Sequence, residues 1–280
     1  LNNFLRRTLT GAWIVIFILG GFWLHPVSFL ITGLIVMSGA QYEYYLLIQK
    51  TGVKPQIIPG MITAATAYII SVLVAAGILP WRFFVILILM IVLIMIIELY
   101  RQKERPFDSL AHTIFPVFYI AVPFSLFPFS AFSHTGLDSL LPHGIVDFSP
   151  GIVVGFFILL WTNDTGAYLV GIALGRHRLM ERISPKKSWE GFFGGLILTV
   201  IVAWLLSGWF GVVDRTRWMI ISIIITMAGT YGDLAESMLK RSIGVKDTGT
   251  IMPGHGGFLD RFDSAVLSFP LVFLFIILFG

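Results

Sequence analysis

The chain has 280 residues, 57% of them hydrophobic and only 12% charged, with a mean hydropathy of +0.90. Soluble domains carry about 25% charged residues, so this composition excludes an ordinary soluble domain and points to a multi-pass membrane protein. The lack of cysteine excludes disulfides, zinc–thiolate sites and thiol nucleophiles, and the net charge of +4 has no soluble domain to make it a nucleic-acid interface.

A membrane-crossing helix needs about 20 apolar residues. In chain order, such runs predict helices at roughly 9–24, 27–48, 59–79, 82–99, 109–128, 150–174, 191–212, 217–236 and 259–279. The expected fold is therefore all-α, a polytopic bundle of about nine transmembrane helices. The first is short and is separated from the second only by His25–Pro26, so the pair is either two spans or a hairpin that does not fully cross. Arg6 and Arg7 before an apolar run also resemble a signal peptide, but no small-residue cleavage site follows, and a retained helix is expected. Pro116, Pro123 and Pro128 predict kinks in the fifth span or its early end.

With the amino terminus in the cytoplasm and nine alternating helices, 16 of the 19 basic residues fall on the inner side, leaving Arg82, Arg215 and Arg217 outside. This is a strong positive-inside signal. Polar residues concentrate after residue 160, Glu43 and Glu98 being early exceptions near helix ends. The chain reads as one membrane domain, 1–280, with an apolar scaffold over 1–150 and a chemical half over 151–280.

Three polar patches reach the same predicted membrane face. TNDTGAYLVGIALGRHR (162–178) places Asp164 beside Asn163 and sets Asp164, Tyr168, Gly171 and Gly175 at helical spacing. ISPKKSWEGFFGG (183–195) offers Ser184, Lys186 and Lys187, then Gly191, Gly194 and Gly195, which permit close helix packing. The last patch begins at YGDLAE, where Asp233, Glu236, Ser237 and Lys240 lie on one helical face. It continues through Arg241, Lys246, Asp247, His255, Asp260, Arg261 and Asp263. A charge near the centre of a lipid-facing helix costs roughly 2.5–3.5 kcal/mol, so such a cluster belongs where ions or phosphates are handled, or in a solvated loop. Carboxylates converging from two neighbouring helices suit a hard cation such as magnesium, and the lysines and arginines suit phosphate.

S-x-x-K-R-x-x-x-x-K-D-x-G followed by P-G-H-G-G-x-x-D-R-x-D resembles the signature of the phosphatidate cytidylyltransferases, or CDP-diacylglycerol synthases. Here it is carried by Ser237, Lys240, Arg241, Lys246, Asp247 and Gly249, then Pro253 through Gly257, Asp260, Arg261 and Asp263. SPKKSWEG and NDTGAYLVG are similar to further blocks of the family. The likeness is dense over about 160–265 and general before it. It implies transfer of CMP from CTP to phosphatidic acid, giving CDP-diacylglycerol and pyrophosphate for phospholipid biosynthesis. It further implies an active site on the cytoplasmic face of a prokaryotic inner membrane. Asp233, Asp260 and Asp263 would hold Mg2+, with room for a second, monovalent cation. Lys186, Lys187, Lys240 and Arg241 would hold triphosphate or lipid phosphate, helped by Lys246 and Arg261, and Ser184, Asn163, Asp164, Ser237 and His255 would complete substrate binding. The large apolar scaffold is compatible with a homodimer.

Simpler readings stand beside these. Asp260 and Asp263 could pair with Arg261 and cap the last helix, and Lys186 and Lys187 alone would make an ordinary positive-inside loop. His255 could brace a turn, Asn163 and Asp164 could be a packed polar pair, and Glu236 could serve only Lys240. Two other functions compete. A CDP-alcohol phosphotransferase needs DG-x-x-AR and two aspartates four apart, and DTGAY does not supply them. A cation-coupled transporter would place acids at mid-bilayer and broken helices in both halves, whereas the acids here sit at helix ends and one half is polar.

Overall fold

The computed structural model describes residues 3–134, 146–245 and 257–279. Among these described residues ten α-helices carry the fold: α1 Asn3–Trp23, α2 Pro26–Gln49, α3 Ile57–Ala75, α4 Val85–Arg101, α5 Pro106–Pro116, α6 Val122–Ala131, α7 Gly151–Leu174, α8 Trp189–Leu206, α9 Arg215–Ser242 and α10 Leu259–Phe279. Two short antiparallel ribbons accompany them: β1 Phe132–His134 with β2 Val146–Phe148, and β3 Arg178–Met180 with β4 Ser184–Ser188. The all-α expectation thus omits two ribbons, each too short to show an alternating apolar pattern.

Among the described residues, seven helices are long and apolar enough to cross a membrane: Ile57–Ala75, Trp81–Arg101, Pro106–Ala131, Gly151–Leu174, Trp189–Leu206, Arg215–Ser242 and Leu259–Phe279. The other two expected spans are α1 and α2. In α1 the described apolar stretch is Gly11–Trp23. In α2 the last turns carry Gln41, Glu43, Tyr44 and Tyr45, all buried, which lowers its hydropathy. Pro116 does not end the fifth run. It leads into a π-helical turn, Val117–Ala121, through which the helix continues to Ala131, absorbing the lost backbone donor.

The described residues form two compact units, bounded as Leu1–Pro150 with Asp247–Arg261 and as Gly151–Lys246 with Phe262–Gly280. In the first, α1 and α2 make a tight hairpin. Pro26 opens α2, His25 Nδ1 accepts the Val27 amide at 3.1 Å, and the Phe22 and Phe29 rings meet edge-on at 5.0 Å. Glu98 and Arg101 of α4 pair at 2.7 Å, and Gln56 donates to the same carboxylate, so a buried acid in an apolar unit is compensated. On α4 only Ile94 and Glu98 are buried, and its exposed apolar side chains suit contact with lipid. At the end of α2, Glu43 is fully buried and its Oε2 accepts the Leu259 amide at 2.9 Å, in the first turn of α10. Nearby, a Cβ on Gly39 would lie 2.7 Å from the Phe258 ring.

The second unit is built on close helix approach. A Cβ on Gly191 of α8 would lie 2.7 Å from the Ala167 carbonyl oxygen of α7, and one on Gly166 of α7 would lie 3.1 Å from the Gly195 Cα. Glycines on both sides therefore let α7 and α8 touch backbone to backbone, as in membrane helix pairs. Ser188 caps α8 by accepting the Gly191 amide at 3.1 Å. Asp214 caps α9 through the Arg217 amide at 3.0 Å, and Lys240 and Arg241 complement the dipole in its last turn. The aromatic core includes Phe157 against Phe262 at 6.0 Å and Phe156 against Phe269 at 5.0 Å.

Candidate active site

Gly232 decides where two acids stand. A Cβ there would lie 2.7 Å from the Asp263 carbonyl oxygen and 3.0 Å from the Ser264 Cα, so α9 and α10 approach at a point where only hydrogen fits. This brings Asp233, Glu236 and Asp263 together, with one carboxylate oxygen from each within 4.8 Å of the others. Asp233 is partly exposed, whereas Glu236 and Asp263 are buried.

Each acid has a defined partner. Lys187 Nζ lies 2.6 Å from Asp233 Oδ2, and the Ser237 hydroxyl donates to Asp233 Oδ1 at 3.2 Å. Lys240 Nζ lies 2.5 Å from Glu236 Oε2. Asp263 Oδ1 accepts the Ser264 amide at 2.5 Å. Three carboxylates gathered this closely repel one another, and the two lysines compensate only part of their charge. A set of hard oxygens with surplus negative charge, one of them reachable from solvent, has the donor chemistry that a divalent cation such as magnesium takes.

Asp233 also lines a cavity of about 620 Å³, whose walls come from α7, the β3–β4 ribbon, α8 and α9. Asn163, Asp164, Lys186, Lys187 and Arg178 supply its polar lining, and Ala167, Ile172, Leu179 and Phe192 supply apolar wall. The volume lies within the usual range for organic-ligand sites. Lys186 and Lys187 are consecutive on β4, and an unbroken strand would aim them to opposite faces. The ribbon is irregular: Arg178 pairs with Ser188 and Met180 with Ser184, so two steps on β3 face four on β4. Such a bulge re-aims side chains, and both lysines reach the cavity. Lys187 also donates to the Thr230 carbonyl at 3.5 Å.

The structure thus gathers Asn163, Asp164, Lys186, Lys187 and Asp233 around one cavity, with Ser237 and Asp263 adjoining through Asp233. Asn163 and Asp164 are not a packed polar pair: Asn163 is buried and Asp164 is exposed on the cavity wall. The Asn163 Oδ1 has no hydrogen-bond partner among the described residues. Ser184 opens β4, and Arg241 is exposed in the last turn of α9. Lys240, expected to hold phosphate, is engaged by Glu236. Asp260 Oδ2 accepts the Gly257 amide at 2.9 Å within the first unit, and Arg261 is exposed beside it. Lys246 and His255 lie outside the described residues. Glu236 is more than its sequence spacing suggests: the i, i+4 pairing with Lys240 is satisfied, but its carboxylate also meets two aspartates. Gly232 is absent from the expected site, because its only signal is a small residue beside an acid in a helix.

The Cytidylyltransferase family profile matches residues 5–279. A protein named phosphatidate cytidylyltransferase from Staphylococcus aureus is 36% identical over 233 residues, covering 82% of this chain and 84% of the relative. Proteins of that name from Staphylococcus epidermidis and Staphylococcus saprophyticus are 45% and 49% identical over 123 residues, 43% of this chain. The chain spans about half the length of these latter two relatives, 47% in each case.

Proposed function

The chain belongs to the cytidylyltransferase family, and from that premise we propose that it transfers CMP from CTP to phosphatidic acid, releasing pyrophosphate. The observation that carries the reading is the Lys187–Asp233 contact, which joins a cationic cavity wall to a cluster of three carboxylates. One partner in this reaction is a polyphosphate and the other a phosphate monoester, so the site must offset several negative charges in one place.

In the proposed reaction a phosphate oxygen of the lipid forms a bond to the α-phosphorus of CTP. The bond from that phosphorus to the oxygen bridging to the β-phosphate breaks, and pyrophosphate leaves with the electron pair. Lys186 and Lys187 hold phosphate at the cavity wall, and their charge offsets the negative charge that grows on the leaving group. Asn163, which lines the cavity, contributes to the substrate-binding wall. Asp233, Glu236 and Asp263 would hold magnesium, which when bound supplies positive charge to the phosphates. Lys240 balances Glu236, and the exposed Arg241 adds positive field at the same helix end.

Placement in the membrane is part of the same proposal. Nine helices cross, the amino terminus is cytoplasmic, and the cavity opens to the cytoplasmic side of a bacterial cell membrane. The distribution of basic residues supports this, because the β3–β4 ribbon and the last turn of α9 carry positive-inside charge.

The test is purified protein mixed with CTP, phosphatidic acid and Mg2+, with pyrophosphate and CDP-lipid measured together. Both products should appear only when both substrates are present, and EDTA should stop them until magnesium is restored. Asp233→Ala should abolish turnover in a protein that stays folded in detergent, and Asp260→Ala, measured beside it, decides whether that residue joins the metal set. Pyrophosphate release that needs no lipid, or full activity in Asp233→Ala, would refute the reading.

A further inference from the structure

Arg178 begins β3 and lines the cavity beside Lys186 and Lys187, although in the sequence it reads only as cytoplasmic loop charge. We propose that Arg178 binds a substrate phosphate group, either the lipid phosphate monoester or the nucleotide triphosphate, and that Glu190 is the positioning residue that holds it there. The proposal rests on the reading of the cavity as the cytidylyl-transfer site.

Charge is the first consideration. Of the three cations on the wall, Lys187 is already engaged by Asp233 at 2.6 Å. Among the described residues Arg178 has no carboxylate partner, and with Lys186 it is a cation the cavity can offer to a ligand. The two substrates together carry more negative charge than one lysine offsets. A guanidinium presents a planar fork that matches two phosphate oxygens at once, whereas an ammonium acts as a point charge.

Placement is the second. The two residues before Arg178 are fixed with unusual thoroughness for an exposed connection. Glu190, in the first turn of α8, accepts the Arg176 amide at 3.1 Å, the His177 amide at 3.2 Å and His177 Nδ1 at 2.6 Å. From the other side the Trp189 amide donates to the His177 carbonyl at 2.9 Å. Arg178 then pairs with Ser188, the residue that caps α8. A carboxylate holding two backbone amides and a ring at one corner fixes the register of the next residue, and that residue is the one that faces the cavity. Without this corner the ribbon would be free to slide by a residue, and Arg178 would turn away from the cavity.

The test uses full-length protein in detergent with CTP, phosphatidic acid and Mg2+. Arg178→Gln should lower kcat/KM roughly tenfold to a hundredfold, the range for one charge-assisted hydrogen bond. The loss should be concentrated on one substrate. A raised KM for phosphatidic acid assigns Arg178 to the lipid phosphate, and a raised KM for CTP assigns it to the triphosphate. Arg178→Lys should recover part of the loss. Glu190→Gln should shift the same KM by a smaller factor, and adding it to Arg178→Gln should cost nothing further. Equilibrium binding of CTP alone and of short-chain phosphatidic acid alone should show the same selective weakening without turnover. If Arg178→Gln keeps native binding of both, and native kcat and KM where turnover is measured, the inference is overturned. Pyrophosphate release by the wild-type protein tests the reaction itself, independently of what happens to Arg178.

Discussion

The most searching perturbation falls on Glu236, because two roles compete for it. Its side chain is fully buried, Lys240 Nζ lies 2.5 Å away with 14% of its side chain exposed, and the carboxylates of Asp233 and Asp263 complete the cluster. Breaking a buried ion pair from one side costs about 3–5 kcal/mol, because the remaining charge is left without compensation. Lys240→Met should therefore destabilise the protein by about 3 kcal/mol or more, since it strands Glu236 among two other acids. Magnesium should return much of this loss, as any ligand of the folded state does. Glu236→Gln keeps the size and an oxygen but removes the charge, and Lys240 can extend toward solvent, so the stability loss should be smaller. The double variant Glu236→Gln/Lys240→Met should unfold within about 1 kcal/mol of wild type, by the same reasoning. Activity should follow a different order. Outer partners of a metal typically cost 10–100-fold in metal affinity, and a direct ligand should cost at least as much, so Glu236→Gln should raise the magnesium requirement by roughly a hundredfold. Thermal unfolding in detergent reads stability, and pyrophosphate release across a magnesium titration reads the site. Native turnover and native magnesium dependence in Glu236→Gln would show that the carboxylate serves Lys240 alone.

Lys187→Gln should raise the KM for CTP or lower turnover by roughly tenfold to a hundredfold, and steady-state kinetics with each substrate varied should separate the two. Native kinetics would reduce the SPKKSWEG segment to a membrane-side anchor. Gly191→Leu should lower the unfolding midpoint, with a cost of about 1–3 kcal/mol, because its Cβ would lie 2.7 Å from the Ala167 carbonyl oxygen. Gly211→Ala, where nothing lies within 4 Å, should leave the midpoint unchanged, and equal effects would deny the backbone contact of α7 with α8. In sealed vesicles, cysteines at Arg182 and Gly211 should be labelled from opposite sides, Arg182 from the cytoplasmic one. Labelling of both from one side would overturn the proposed topology.

Apolar runs announce themselves: each expected run contains a helix, with three placed to within a residue and the others differing by several residues at one end or both. The run expected over 150–174 is α7, Gly151–Leu174, and that expected over 259–279 is α10, Leu259–Phe279. The glycines at 191 and 195 are legible for a related reason, since small residues in an apolar helix have few uses except close approach. What stays hidden depends on residues far apart in the chain. The resemblance already sets Asp263 with Asp233, but helical spacing pairs Glu236 only with Lys240 and gives no sign that its carboxylate joins them where Gly232 lets another helix in. The β3–β4 ribbon is illegible because its order comes from Glu190 and the Trp189 amide, not from an apolar alternation in the five residues of β4. Arg178 is hidden with it. As a loop residue it is one more topogenic charge, and only the ribbon's register turns it toward the cavity.

The hydrogen bond from the Leu259 amide to Glu43 spans 216 positions of the chain. Ribosomes add roughly 5–20 residues per second, so an interval of about ten to forty seconds separates the synthesis of the carboxylate from that of the amide it receives. During that interval α2 is already made, and its acid must be kept by water, lipid headgroups or passing partners. The contact with α10 can therefore close only after α3 to α9 have been made. α2 thus keeps a receiving place for α10 while every helix between them is being made.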